Sequence, residues 1–246
     1  MIFSVLLAFT LITTSTARAG TMTIPEGERT LYVTDVIQGK AGILLSDKIL
    51  TLSTTSSDDI HIIINSPGGS VRVGYAIVAA MERARSRGVT FHCSVTGMAA
   101  SMAFQILAHC DKRYALPYSA LLWHPVRVVL GGGLFSSGAV ITPDEAERLL
   151  KDLRAAEQMM VPKLLSVLDL PEDVFYYHYI NESWHYAITL SAMSPHFLTV
   201  VEDYEGIPTK VWTGGGKLSR FLELDEEIIP MQWELDYTTH TLPQGE

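Results

Sequence analysis

In the stretch at 94–110, SVTGMAASMAFQILAHC, one serine, Ser101, stands among small residues where an apolar helical pattern begins. A hydroxyl at a helix N-terminus meets the positive end of the macrodipole and can serve as a nucleophile. The amide of the next residue, Met102, can then donate to a developing oxyanion. The same serine also makes a good filler between closely packed elements. A second stretch, INSPGGSV, places Gly68 and Gly69 where a β-branched run gives way to another helical pattern. Paired glycines let backbone amides approach an anion without Cβ interference, although a tight turn alone would also explain them. A serine nucleophile needs a base, and His124 in LLWHPV directly follows an apolar strand pattern. Each signal is weak alone; their succession along the chain is more specific.

These residues need elements to carry them. TLYVTDVIQG reads as a strand and turn, AGILLSDKILTLST as a helix, and DIHIIINSPGG as a buried strand stopped by a turn. VRVGYAIVAAMERARSRG follows as a helix with an apolar stripe through Val73, Ala76, Ile77, Ala80 and Met81 and a cap at Gly88. After the strand VTFHCSV, Gly97 is expected to turn the chain into the helix containing Ser101. KRYALP and ALLWHPV read as two more strands. GGGLFSSGAVITPDE reads as a loop, and 143–168 as a long helix with Thr142 as N-cap and Pro143 in its first turn. This alternation implies an α/β fold with a mostly parallel sheet flanked by helices. TGGGK lacks the GxxxxGK[ST] frame of a phosphate-binding loop.

Bulk properties narrow the function. With 246 residues, 48% of them hydrophobic, one domain can bury a full core. A formal net charge of -9 argues against nucleic acid and polybasic membrane contacts and favours proteins, peptides or small molecules as partners. The opening, MIFSVLLAFTLITTSTARAG, has an apolar segment too short for a membrane span and an A-x-A pattern ending at Ala19. Residues 1–19 are therefore expected to be a signal peptide, 20–210 the α/β domain and 211–246 a C-terminal tail, with the protein periplasmic or secreted; an uncleaved anchor is the alternative. Cys93 and Cys110 leave open a disulfide or two buried free thiols. The eight histidines show no zinc-ligand spacing, so neither a metal nor another cofactor is expected.

The order of NSPGGSV (65–71), GMAASM (97–102) and Trp123-His124-Pro125 resembles the Clp protease proteolytic subunit family, within the Clp/crotonase-like superfamily of repeated ββα (βαβ) units. The resemblance covers roughly 31–191. It implies a serine peptidase with Ser101 as nucleophile, His124 as general base, and amides of Gly69 or Gly68 and of Met102 as the oxyanion hole. It also implies a homo-oligomer, with the long helix as the interface. The proline stands one place earlier than the family usually has it, and the glycine-rich insertion replaces a substrate-guiding strand and loop.

The family's third triad member is an aspartate after the long helix, where this chain reads PEDVFYYHYINESWHYAITLSA. Anchoring on Trp184 puts His178 in that place, counting forward from His124 points nearer Asp173, and Asn181 and Glu182 lie within the same register. An exported member would work without an ATPase partner, on short or already flexible chains. Two rivals remain at this point: a non-catalytic binding module or degenerate member with Ser101 and His124 uncoupled, and thioester chemistry of the crotonase type. A serine-lysine dyad would need a lysine near Ser101, and Lys112 lies beyond the helix.

Overall fold

The computed structural model describes residues 19–127 and 142–206. Nearly all of the expected leader, most of the glycine-rich loop and the whole tail at 211–246 lie outside them. In chain order the first half comprises β1 (Met22–Thr23), β2 (Thr30–Val33), α1 (Gly39–Thr55), β3 (Ile60–Ser66), α2 (Val71–Arg85), β4 (Phe91–Ala100) and α3 (Met102–Ala108). The second half comprises β5 (Lys112–Ala115), β6 (Ala120–Leu122), α4 (Pro143–Leu168), α5 (Glu172–Asn181), β7 (His185–Tyr186), α6 (Ala187–Met193), β8 (Thr199–Val200) and β9 (Tyr204–Glu205).

Isoleucines at 60, 62, 63 and 64 give β3 an apolar side chain on both faces, as a strand buried in the middle of a parallel sheet requires. The main sheet has the order β2-β3-β4-β5-β8, all parallel, and β6 continues alongside the far end of β4. The strand β7 pairs antiparallel with β6. Ile62 and Ile64 face the large core shared with all six helices, whereas Ile63 joins a smaller cluster with Ile24, Val201 and Tyr204. The mostly parallel sheet flanked by helices is the architecture the sequence implies. Among the described residues, no helix is long and apolar enough to cross a membrane.

The helices start where their residues dictate. Ser70 caps α2, its Oγ accepting the Val73 N–H at 3.4 Å. Thr142 and Glu145 form a capping box on α4: the Thr142 Oγ1 accepts from the Glu145 N–H and a Glu145 carboxylate oxygen accepts from the Thr142 N–H. Two expectations are corrected. Ala76 is exposed, and the buried stripe of α2 runs instead through Gly74 and Val78 beside Val73, Ile77, Ala80 and Met81. Gly97 does not turn the chain into a helix: β4 continues to Ala100, because Met98, Ala99 and Ala100 pair with Ala120, Leu121 and Leu122. Gly97 makes room instead, since a Cβ there would lie 2.6 Å from the Asn65 Oδ1.

Cys93 in β4 and Cys110 just past α3 are joined by a disulfide across a Cα–Cα distance of 6.0 Å. The bond closes the strand-turn-helix unit that carries Ser101, over a sequence separation of 17. A loop of this size stabilises by about 3 kcal/mol, mainly through the unfolded chain. Replacing both cysteines with alanine is therefore expected to lower the urea midpoint, and dithiothreitol to lower it for the parent chain alone; equal midpoints for parent and variant would contradict the linkage.

Candidate functional site

The strand β4 and the helix α3 meet at Ser101, which turns the chain with φ 56° and ψ -122°, a conformation that L-residues rarely adopt. Three neighbours hold it there. The Ser101 N–H donates to the Leu122 carbonyl of β6 at 2.9 Å, and the Ser101 carbonyl accepts from the Gln105 N–H at 3.1 Å. The third is Gly68, whose own φ is +91°. A Cβ on Gly68 would stand 2.5 Å from the Ala100 carbonyl oxygen, 2.7 Å from the Ser101 Cβ and 2.8 Å from the Met102 nitrogen. The glycine turn and the serine turn are thus in van der Waals contact.

This contact sorts the candidate oxyanion donors. The Gly68 N–H is buried and already donates to the Ser66 Oγ at 3.1 Å. Gly69 is exposed, and among the described residues its N–H has no hydrogen-bond acceptor. Its conformation is fixed by the Ile37 backbone, which donates to the Gly68 carbonyl at 2.8 Å and accepts from the Ser70 N–H at 2.7 Å. Met102 opens α3, so its N–H has no intrahelical acceptor either. Two unengaged amides therefore belong to this corner: that of Met102, directly after the partly exposed serine, and that of Gly69, directly after the glycine that lies against it.

His124 follows β6 by two residues and is half-buried. Its Nδ1 lies 2.7 Å from the Pro125 carbonyl oxygen. A carbonyl only accepts, so Nδ1 carries the proton in the neutral ring and Nε2 keeps the lone pair. Burial pushes the imidazole below its ordinary pKa; the Pro125 carbonyl opposes this and the Arg127 charge reinforces it. No hydrogen bond joins the His124 ring to Ser101.

None of the four candidates for the third position is hydrogen-bonded to His124. His178 packs edge-on against Trp123 at 6.1 Å and His185 at 4.5 Å, and its Nδ1 is buried without a partner. Asp173 is exposed in the first turn of α5, and the Asn181 amide donates back to the Tyr177 carbonyl at 2.7 Å. Glu182, the left-handed C-cap of α5, forms an ion pair with Arg127 and so reaches the segment that carries His124. Sequence reasoning missed Glu157 of α4, whose Oε1 accepts from the Val126 N–H at 3.2 Å. It also missed His185, which stacks on Trp123 at 4.8 Å. A signal for Glu157 was present: a carboxylate three residues before the buried Met160 on one helix face. Among the described residues, no group of three or more His, Cys, Asp or Glu side chains is arranged to hold a metal ion.

The family model described as Clp protease matches residues 22–154. The chain belongs to the Clp protease family. It is 33% identical over 108 residues to the ATP-dependent Clp protease proteolytic subunit 3 of Streptomyces avermitilis, covering 43% of this chain and 48% of that protein. It is 39% identical over 100 residues to the proteins of the same description from Synechococcus sp. strain CC9605 and from Parasynechococcus marenigrum, covering 39% of this chain and 48% of each. The chain thus spans about half the length of the curated relatives it matches. Membership accords with the mixed α/β fold, a sheet flanked by helices.

The Trp123 cluster has a consequence for stability. Burial, and then the neighbouring His178, depress the His185 pKa to about 4. The unfolded imidazole titrates near 6.5, so the unfolded chain binds the proton first as pH falls. The stabilisation is complete above about pH 6.5 and is lost progressively towards pH 4. Urea midpoints for the parent should fall over this window, and His185→Phe should flatten the dependence; an unchanged slope in the variant would assign it elsewhere.

Proposed function

We propose that this Clp protease family member is a serine peptidase that cleaves peptide bonds through an acyl-enzyme on Ser101. The observation that carries the reading is the Ser101 turn itself: a strained serine followed by the unengaged Met102 amide and packed against the Gly68–Gly69 turn. The Ser101 hydroxyl attacks the scissile carbonyl while His124 Nε2 takes its proton, and the carbonyl oxygen, now negative, accepts from the Gly69 and Met102 N–H groups. Collapse of the tetrahedral species breaks the C–N bond as the imidazolium returns the proton to the leaving amine. Water, deprotonated by the same ring, then releases the acid and restores Ser101. Glu182 is the best candidate to steady the imidazolium, because its ion pair with Arg127 brings a carboxylate to the His124 segment.

A second reading, a binding module that retains the cleft, has one observation in its favour: Ser101 and His124 share no hydrogen bond. Catalytic hydrogen bonds often tighten only when substrate is bound, so this spacing does not by itself decide between the two. A fluorophosphonate probe does. Labelling is expected at Ser101, abolished by Ser101→Ala and slowed at least ~10-fold by His124→Ala and by Glu182→Gln; an unlabelled, folded parent would leave only the binding module.

The expected leader and the disulfide support export to an oxidising compartment. ATP is absent there, and the substrates would be short or flexible chains with no ATPase partner. Exposed Leu150 and Met159 on α4 support self-association through that helix. The chain produced with its leader should be recovered from the periplasm beginning at Gly20 and elute as an oligomer; a cytosolic, full-length monomer would refute both parts.

A further inference from the structure

The segment from Trp123 to Arg127 has no regular secondary structure, yet it carries the histidine on which the proposed chemistry turns. Something must fix it. On the N-terminal side Trp123 is held fast: it is 1% exposed and packed between Phe104 at 5.4 Å, Phe175 at 6.3 Å and His185 at 4.8 Å. On the C-terminal side the anchor is the Glu157 carboxylate. Its Oε1 accepts from the Val126 N–H and from the Tyr179 hydroxyl, each at 3.2 Å.

Glu157 is an unusual residue for its place. It shares a face of α4 with Met160, Leu164 and Leu168, all buried, where an apolar side chain would pack well. A carboxylate on such a face needs donors, and here both come to one oxygen. Tyr179 is itself 4% exposed and stacked on Phe175 at 5.6 Å, which in turn stacks on Trp123. Burial and the adjacent Glu157 carboxylate push its phenol up in pKa, so it remains a donor. The two anchors of the segment therefore close on one another through Glu157, Tyr179, Phe175 and Trp123, with His124 and Pro125 spanning the gap.

We infer that Glu157 is a positioning residue for His124, fixing the Val126 N–H so that the imidazole is presented to Ser101, and that through it α4 sets the geometry of the base. The inference rests on the reading of His124 as general base. Glu157 does not touch the reacting atoms; its effect passes through the backbone of residues 124–126.

The test compares Glu157→Met with Glu157→Gln in the full chain. Methionine fills the apolar face but offers Val126 no comparable acceptor, whereas glutamine still offers a carbonyl oxygen to both donors. Two readouts are taken: the rate of fluorophosphonate labelling at Ser101, and the titration of the His124 imidazole followed by NMR. Glu157→Met is expected to slow labelling about 100-fold, the usual effect of misplacing a catalytic group by about 1 Å, and to move the His124 titration towards the ordinary value. Glu157→Gln should restore both to near the parent. A Glu157→Met protein with parental rate and titration would overturn the inference, as would a glutamine variant as impaired as the methionine one, since that would require the charge itself. If the parent is not labelled, the nucleophile reading fails separately, and the His124 titration alone then decides: a shift in the methionine variant reversed by glutamine upholds the positioning role, and no shift overturns it.

Discussion

The contact between two turns governs this structure. Ser101 can hold a positive φ only because β6 receives its N–H, α3 begins at once behind it, and a residue without a Cβ lies against it at Gly68. A residue in a sparsely populated conformation costs of order 1–3 kcal/mol and persists only when its surroundings over-determine it. Here the surroundings are a strand, a helix and a glycine turn. Any substitution at Gly68 would meet backbone on two sides and would also have to adopt φ +91°, so the glycine turn is as much a constraint on the serine as a source of amides.

An irregular segment next to this corner is held by side chains alone. Residues 123–127 take no part in the sheet, and each anchor they have comes from a side chain: an aromatic stack around Trp123, the Glu157 carboxylate at Val126 and the Glu182 carboxylate at Arg127. The arrangement carries an unsatisfied burden. Trp123 Nε1, His178 Nδ1 and His185 Nε2 are all buried without partners within this one cluster. Buried polar atoms of this kind carry a desolvation cost in the support around the base and, through His185, make it sensitive to acid.

Much of this was legible in the chain itself. The β-branched run at 60–64, the Thr142 N-cap and the Pro-Gly-Gly turn all act locally, and the structure has each of them where its residues imply. What escaped was decided by partners distant in sequence. Gly97 reads as a turn from its neighbours alone; it lies in a strand because β6 pairs beyond it and Asn65 needs the space. Ala76 fits a helical stripe by spacing, but α2 packs on α1 and α3, and Gly74 lies against Met102 of α3 on the adjacent face. The assignment of roles to Gly68 and Gly69 needed to know that Ser66 already occupies one of the two amides. For Glu157, spacing marks the helix face it shares with Met160 but not its two donors, Val126 and Tyr179, which lie outside α4.

One last feature is the small sheet in which Met22 and Thr23 lie parallel to Tyr204 and Glu205. The first described strand has its partner in the last, with the whole of the main sheet threaded between them. A polypeptide that emerges amino end first must therefore leave β1 waiting until some 180 further residues have appeared. Closure of this clasp therefore waits on synthesis of the whole intervening stretch, and the pairing spans nearly all of the described sequence.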